Sequence, residues 1–127
     1  MSMLDWSHYH EQLLTRVGEL GQIGPDIVKG YRLLGRASTA TGQLGAKVNE
    51  LIALAVAVTL RCDGCIAVHT VAAIRAGATR EEIAEALGTA IAVNAGSALV
   101  YTTRALDAFA ATTADTKEGR APPATSS

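Results

Sequence analysis

Aromatic side chains are scarce in this chain: they make up 4% of the residues, although 49% of the residues are hydrophobic. A core built on large rings is therefore excluded. Much of the apolar content is alanine, and such small side chains let helices approach each other closely. With 127 residues, the chain is long enough for one domain with one core.

Basic clusters and long apolar runs are also missing. Acids and bases are interspersed and the net charge is −1, which excludes the basic patch that nucleic-acid binding needs. The longest apolar run, residues 51–60, is shorter than the roughly 20 residues that span a bilayer. Residues 1–6 do not lead from a basic patch into an apolar stretch, so we expect no secretory signal. The sequence predicts a cytoplasmic protein that contacts neither nucleic acid nor membrane.

Helical periodicity is what the chain does contain. Apolar residues recur at helical spacing over residues 6–20, and Pro25 suits the first position of a second helix. Residues 46–60 are apolar on nearly all sides after Glu50, which predicts a buried helix. Further helices are predicted over about 65–76, from a capping box of Thr79 and Glu82 onward, and over 99–110. The expected fold is all-α, a compact domain of about six helices, with no internal repeat and no strand.

Small and polar residues mark the expected boundaries. Gly77 is placed to end the helix over 65–76 in a left-handed conformation. Residues 94–97, which include Asn94 and Gly96, predict a break before the last helix. Residues 112–127 are small, polar and proline-containing, which predicts a disordered tail. Residues 1–111 are then expected to form a single helical domain, with its chemistry at 50–69.

Cysteine is nearly absent, but the only two cysteines fall in one motif. Cys62 and Cys65 are two residues apart, and His69 follows one helical turn after Cys65, on the same helix face. A helix start between the cysteines would favour the reactive thiolate. In a cytosolic protein, such a pair is more often catalytic or metal-binding than structural. We therefore predict a redox-active dithiol with a built-in base.

Other interpretations of these residues remain open. Cys62, Cys65, His69 and Glu50 could together supply the four ligands of a zinc ion, or the cysteines could simply be buried apolar side chains. His69 taken alone would more often be a core histidine. Glu50 either orients His69 or is an acid in the first turn of a helix, favoured there by the helix dipole. We predict no metal and no cofactor.

The residues over 47–110 resemble the carboxymuconolactone decarboxylase superfamily, and within it the alkyl hydroperoxidase D branch. The resemblance rests on the segment NELIALAVAVTLRCDGCIAVHTVAAIRAGATREEIAEAL and on ALVYTTRALDAF further on. Glu50, Cys62, Cys65 and His69 each match a catalytic position of that branch. One position departs from it: a well-known member has a second histidine between the cysteines, where this chain has Gly64.

The resemblance implies an all-helical homo-oligomer, a trimer or a hexamer. It also implies a dithiol/disulfide cycle that reduces organic hydroperoxides or regenerates a peroxiredoxin. Electrons would return from a thiol reductant such as a lipoyl-bearing protein. The alternative activity is decarboxylation of a small lactone acid, the reaction that names the superfamily, although such enzymes lack the C-x-x-C pair. A third alternative is an oligomeric binding protein that retains the motif without catalysis.

Overall fold

The computed structural model describes residues 1–119, 121 and 124, and it has helices and no strand among them. This confirms the predicted all-α class. The helices are α1 (Trp6–Ile23), α2 (Pro25–Ser38), α3 (Gly45–Leu60), α4 (Asp63–Arg75) and α5 (Arg80–Lys117). The described residues divide between two units, Met1–Ala90 and 91–127.

Local caps explain where several helices begin. Asp5 precedes α1, and its carboxylate accepts a hydrogen bond from the backbone N–H of His8 at 3.1 Å. Pro25 occupies the first position of α2, as predicted. At the start of α5, the Thr79 hydroxyl oxygen accepts from the Glu82 N–H at 3.1 Å, which confirms the predicted capping box.

The turns on either side of α4 set where that helix lies. Arg61 ends α3 with a left-handed φ of 52°, and Cys62 is extended with φ −99° and ψ 97°. The chain therefore turns within two residues, and α4 begins at Asp63 rather than near Cys65, because Cys62 itself serves as the N-cap. After α4, Gly77 has a φ of 85°, which confirms its predicted left-handed conformation.

Small residues form much of the core of the unit Met1–Ala90. There α3 packs against α4, and α1 packs against both α2 and α4. Ala57 of α3 and Ala73 of α4 are 2% and 0% exposed, so the two helix backbones lie close together. The expectation that residues 46–60 are buried is only partly correct for the single chain. Leu54 and Ala57 are buried, but Val56 and Leu60 are half exposed or more.

The unit of residues 91–127 consists of the later part of α5 and the residues after it. The predicted break at residues 94–97 is wrong, because α5 continues through them and ends at Lys117. The described residues therefore form five helices, close to the predicted number of about six. This helix extends past residue 112, where the sequence predicts the start of a tail. Of that predicted tail, residues 120, 122, 123 and 125–127 lie outside the described residues.

By length and composition alone, one helix in the described part of the chain could cross a membrane. Helix α5 contains an 18-residue window of mean hydropathy 1.5, of which 6% is buried. The core helix of a soluble protein passes the same test. The sequence-based prediction of no membrane contact rests on the length of the apolar run at residues 51–60, and it stays a prediction.

Candidate active site

The packing of α3 against α4 brings Glu50 and His69 together. A carboxylate oxygen of Glu50, Oε2, lies 2.7 Å from Nδ1 of His69, although the residues are 19 positions apart in sequence. The His69 side chain is 30% exposed and that of Glu50 is 25% exposed, so water reaches the pair but does not surround it. The structure therefore brings together two of the four residues that the sequence singles out, through a tertiary contact.

This contact determines which histidine nitrogen is available for chemistry. An ionised carboxylate can only accept hydrogen bonds, so it favours the tautomer in which His69 Nδ1 carries the proton. Nε2 is then the unprotonated nitrogen, and no protein group bonds to it among the residues that the structure describes. The arrangement leaves one basic nitrogen with a fixed orientation, which is what a general base requires.

The other two residues, Cys62 and Cys65, are joined by a disulfide at the start of α4. Their Cα atoms are 5.2 Å apart, within the usual range for such a bond. Sγ of Cys62 also accepts a hydrogen bond from the Cys65 backbone N–H at 3.2 Å, in the position of a helix N-cap. After reduction, the same N–H group and the positive end of the helix dipole would stabilise a thiolate at Cys62.

Helix α4 connects the Glu50–His69 pair to the disulfide, because it carries both His69 and Cys65. Cys65 and His69 lie four residues apart on one helix, which places their side chains on the same face. Within the described residues, no hydrogen bond joins His69 to either sulfur. The same part of the chain holds no group of three His, Cys, Asp or Glu side chains that could bind a metal.

Helix α1 lies directly over the turn between the two cysteines. A Cβ atom added to Gly64 would lie 3.1 Å from Cδ2 of Leu13 and 3.9 Å from the hydroxyl oxygen of Tyr9. Gly64 is not among the residues with a positive φ, so its backbone does not require glycine. The close approach of Leu13 therefore leaves little room for a side chain at position 64, where a member of the alkyl hydroperoxidase D branch has a histidine.

Sequence reasoning did not identify Leu13 and Tyr9 as neighbours of the dithiol. Both belong to the apolar stripe of α1, and both are half-buried. The stripe predicts that they face other helices, but periodicity carries no information about which helix they meet. The glycine between the cysteines is one available signal, because glycine in a helix has an entropic cost and is often found where another group approaches the backbone closely.

One surface ion pair involves the start of α3, the helix that carries Glu50. Nζ of Lys47 lies 2.9 Å from Oε2 of Glu82. The hydrogen bond from Lys47 lowers the pKa of Glu82 from its ordinary value of 4.5, and further hydrogen bonds from Thr79 act in the same direction. Lys47 lies one turn before Glu50, so this contact links the head of α3 to the capping box of α5.

Comparison with known proteins agrees with this geometry. Residues 25–113 match the profile of the carboxymuconolactone decarboxylase family, which covers most of the chain. The protein therefore belongs to the carboxymuconolactone decarboxylase family. Helix α1, including Tyr9 and Leu13, lies outside the matched residues.

Similar proteins support the same assignment. An uncharacterized protein of Haemophilus influenzae is 46% identical over 105 residues, which is 83% of this chain and 93% of the relative. An uncharacterized protein of Cupriavidus necator is 41% identical over 98 residues, which is 77% of this chain and 87% of that one. A crystal structure of an apo carboxymuconolactone decarboxylase family protein from Legionella pneumophila is 38% identical, with a TM-score of 0.67, and covers 82% of this chain and 93% of its own.

Proposed function

We propose that this protein is a peroxidase-like thiol oxidoreductase of the alkyl hydroperoxidase D-like branch. It reduces organic hydroperoxides, or regenerates a peroxiredoxin, with the Cys62–Cys65 pair. The observation that carries the proposal is the disulfide at the start of α4, one helical turn from a histidine that a glutamate orients. A dithiol, a base and a residue that orients the base are the parts that a thiol nucleophile needs.

The proposed cycle starts from the reduced dithiol. His69 Nε2 takes the proton of the Cys65 thiol, directly or through a water, and the thiolate attacks the terminal oxygen of the hydroperoxide. The O–O bond breaks, an alcohol leaves after protonation, and Cys65 becomes a sulfenic acid. The Cys62 thiolate then attacks the Cys65 sulfur, water leaves, and the disulfide forms. Two thiols have been oxidised and one peroxide has been reduced by two electrons.

The position of Cys62 supports its role as the second, resolving thiol. Its sulfur already accepts the Cys65 N–H, so the two sulfurs are held close in a single turn. Glu50 acts as a positioning residue, since its carboxylate hydrogen-bonds to the histidine. A thiol reductant, such as a lipoyl-bearing protein, returns the cycle to its start by thiol–disulfide exchange. The proposed compartment is the cytoplasm, and the proposed cycle uses no cofactor.

Decarboxylation of a small lactone acid is the alternative activity, and the name of the family is what favours it. The disulfide argues against it, because enzymes of that activity use no C-x-x-C pair. An assay with a muconolactone distinguishes the two activities. Turnover of the lactone that persists when both cysteines are replaced by serine would overturn the proposal.

The central experiment is to count thiols. The reduced protein is incubated with one equivalent of cumene hydroperoxide, and its intact mass is measured before and after. We expect the loss of two hydrogens per chain, together with the release of cumyl alcohol. Cys62→Ser should stop at the sulfenic acid on Cys65. An unchanged mass for the wild-type protein would overturn the proposed cycle.

The proposed assembly is a homo-oligomer, a trimer or a hexamer. Apolar side chains of residues 91–127 support it, because they are between 65 and 71% exposed in the single chain; they are Ile91, Val93, Leu99, Val100, Tyr101, Leu106 and Phe109. Monomeric soluble proteins rarely expose so many large apolar side chains on one element. A closed, symmetric assembly would cover them.

A further inference from the structure

A groove of about 570 Å³ runs between α1 and α4 inside the unit Met1–Ala90. None of the four proposed catalytic residues lines it. Its volume falls within the range of small-molecule binding sites. The groove is therefore a separate feature of the molecule, on the side of α4 that faces α1.

The lining of this groove combines apolar walls with a few charges. Trp6, Ile66 and Val71 supply apolar surface, while Arg75 and Glu11 supply one charge of each sign and His10 adds an imidazole. The ion pairs among the described residues are Arg16–Glu19, Lys47–Glu82 and His69–Glu50, so neither groove charge has an ion-pair partner there, and both residues are exposed. An unpaired guanidinium beside an apolar surface favours a carboxylate with an apolar tail, because arginine can bind a carboxylate through two hydrogen bonds.

The length of the groove sets the length of the tail. Ile66 and Arg75 are nine residues apart on α4, which is about 13 Å along the helix. A zigzag chain of about ten carbons, which advances roughly 1.25 Å per bond, spans about 11 Å, and the carboxylate oxygens cover most of the remainder. Ile66 follows Cys65 in the chain, so the far end of such a ligand would lie at the dithiol end of α4.

We propose that the groove between α1 and α4 binds an apolar monocarboxylate of about ten carbons, with its carboxylate on Arg75 and its tail against Trp6. Glu11 disfavours a second negative charge, so a dicarboxylate should bind more weakly than a monocarboxylate. If the redox function proposed above holds, the same site receives a fatty acid hydroperoxide. The peroxide would then give one oxygen to water and keep the other as an alcohol, while the dithiol becomes the disulfide.

The single tryptophan of the chain makes this proposal directly testable, because it lines the groove. The disulfide form is titrated with decanoate, below its micelle concentration, and Trp6 fluorescence is recorded. We expect a saturable change. Arg75→Gln should weaken decanoate binding about fivefold, the size of one partly exposed charge pair. Arg75→Lys keeps the charge but loses the two-bond geometry, so its affinity for decanoate should lie between those of the wild-type and Arg75→Gln proteins.

Matched controls separate charge recognition from simple loss of structure. Arg36→Gln removes an exposed arginine on α2, outside the groove, and should leave decanoate binding unchanged. Decanol, which has no charge, should bind wild-type and Arg75→Gln proteins equally. Glu11→Gln should tighten decanoate binding, which a merely structural effect would not produce. Circular dichroism shows whether each variant keeps its helix content.

Several results would overturn the proposal. One is a fluorescence change that does not saturate; another is equal decanoate binding by wild-type and Arg75→Gln proteins. A third is a Trp6 fluorescence that changes when the protein is diluted but not when decanoate is added, since a second copy of the chain would then cover the groove. The binding assay needs no peroxide and no free thiol. Its failure is therefore distinct from failure of the redox function, which the thiol count alone decides.

Discussion

Replacing His69 with glutamine should slow the oxidation of Cys65 by hydroperoxide. Glutamine has a similar size and can still hydrogen-bond to Glu50, but it cannot accept the thiol proton as a base. Positioned general bases contribute about 10²–10⁴-fold, and we expect a loss in that range. Glu50→Gln should cost less, about 5- to 10-fold, because the amide oxygen can still accept from His69 Nδ1 but without the negative charge, a difference of about 1–1.5 kcal/mol, and the base stays in place.

The assay for this prediction is stopped-flow oxidation of the reduced protein, together with alkylation of Cys65 by iodoacetamide across a range of pH. In His69→Gln, the midpoint of alkylation should move to higher pH, since a nearby imidazolium favours the thiolate. His8→Gln is the matched control: it makes the same chemical change at an exposed position on α1 and should alter neither measurement. The reasoning is refuted if His69→Gln and wild type have the same rate and the same pH dependence, even if the disulfide is real.

Three further predictions follow from the packing and the charges. Gly64→His should lower the unfolding free energy, and Leu13→Ala in the same chain should recover part of that loss. In a double-mutant cycle of urea unfolding, we expect a coupling energy of about 0.5–3 kcal/mol between the two positions. Strictly additive effects would show that α1 does not pack on that turn. Leu106→Asp should shift the sedimentation profile towards smaller species, whereas a wild-type monomer at micromolar concentration would contradict the oligomer. Because the pKa of Glu82 is lowered, its contacts stabilise the fold above pH 4.5, and this stabilisation is lost as pH falls below that value. Lys47→Met should therefore reduce the dependence of the unfolding free energy on acid pH. An unchanged slope would show that the Lys47–Glu82 pair contributes nothing.

The sequence by itself determined the all-α class and much of the local structure. Pro25, Gly77 and the pair Thr79 and Glu82 each act through the backbone within a few residues, so their roles could be predicted from spacing. The break expected at residues 94–97 failed because a single glycine and an asparagine cost too little to interrupt a long helix that contains many alanines.

For the candidate site too, the sequence predicts some features and only the tertiary structure decides the others. The sequence alone shows that Cys62, Cys65 and His69 share one turn and one face of α4, because helical geometry fixes their spacing. Only the tertiary structure decides that Glu50 reaches His69 Nδ1, and that Leu13 fills the space beside Gly64. Those contacts join residues on different helices, and their geometry depends on how small side chains such as Ala57 and Ala73 let the helices approach, which no local pattern encodes.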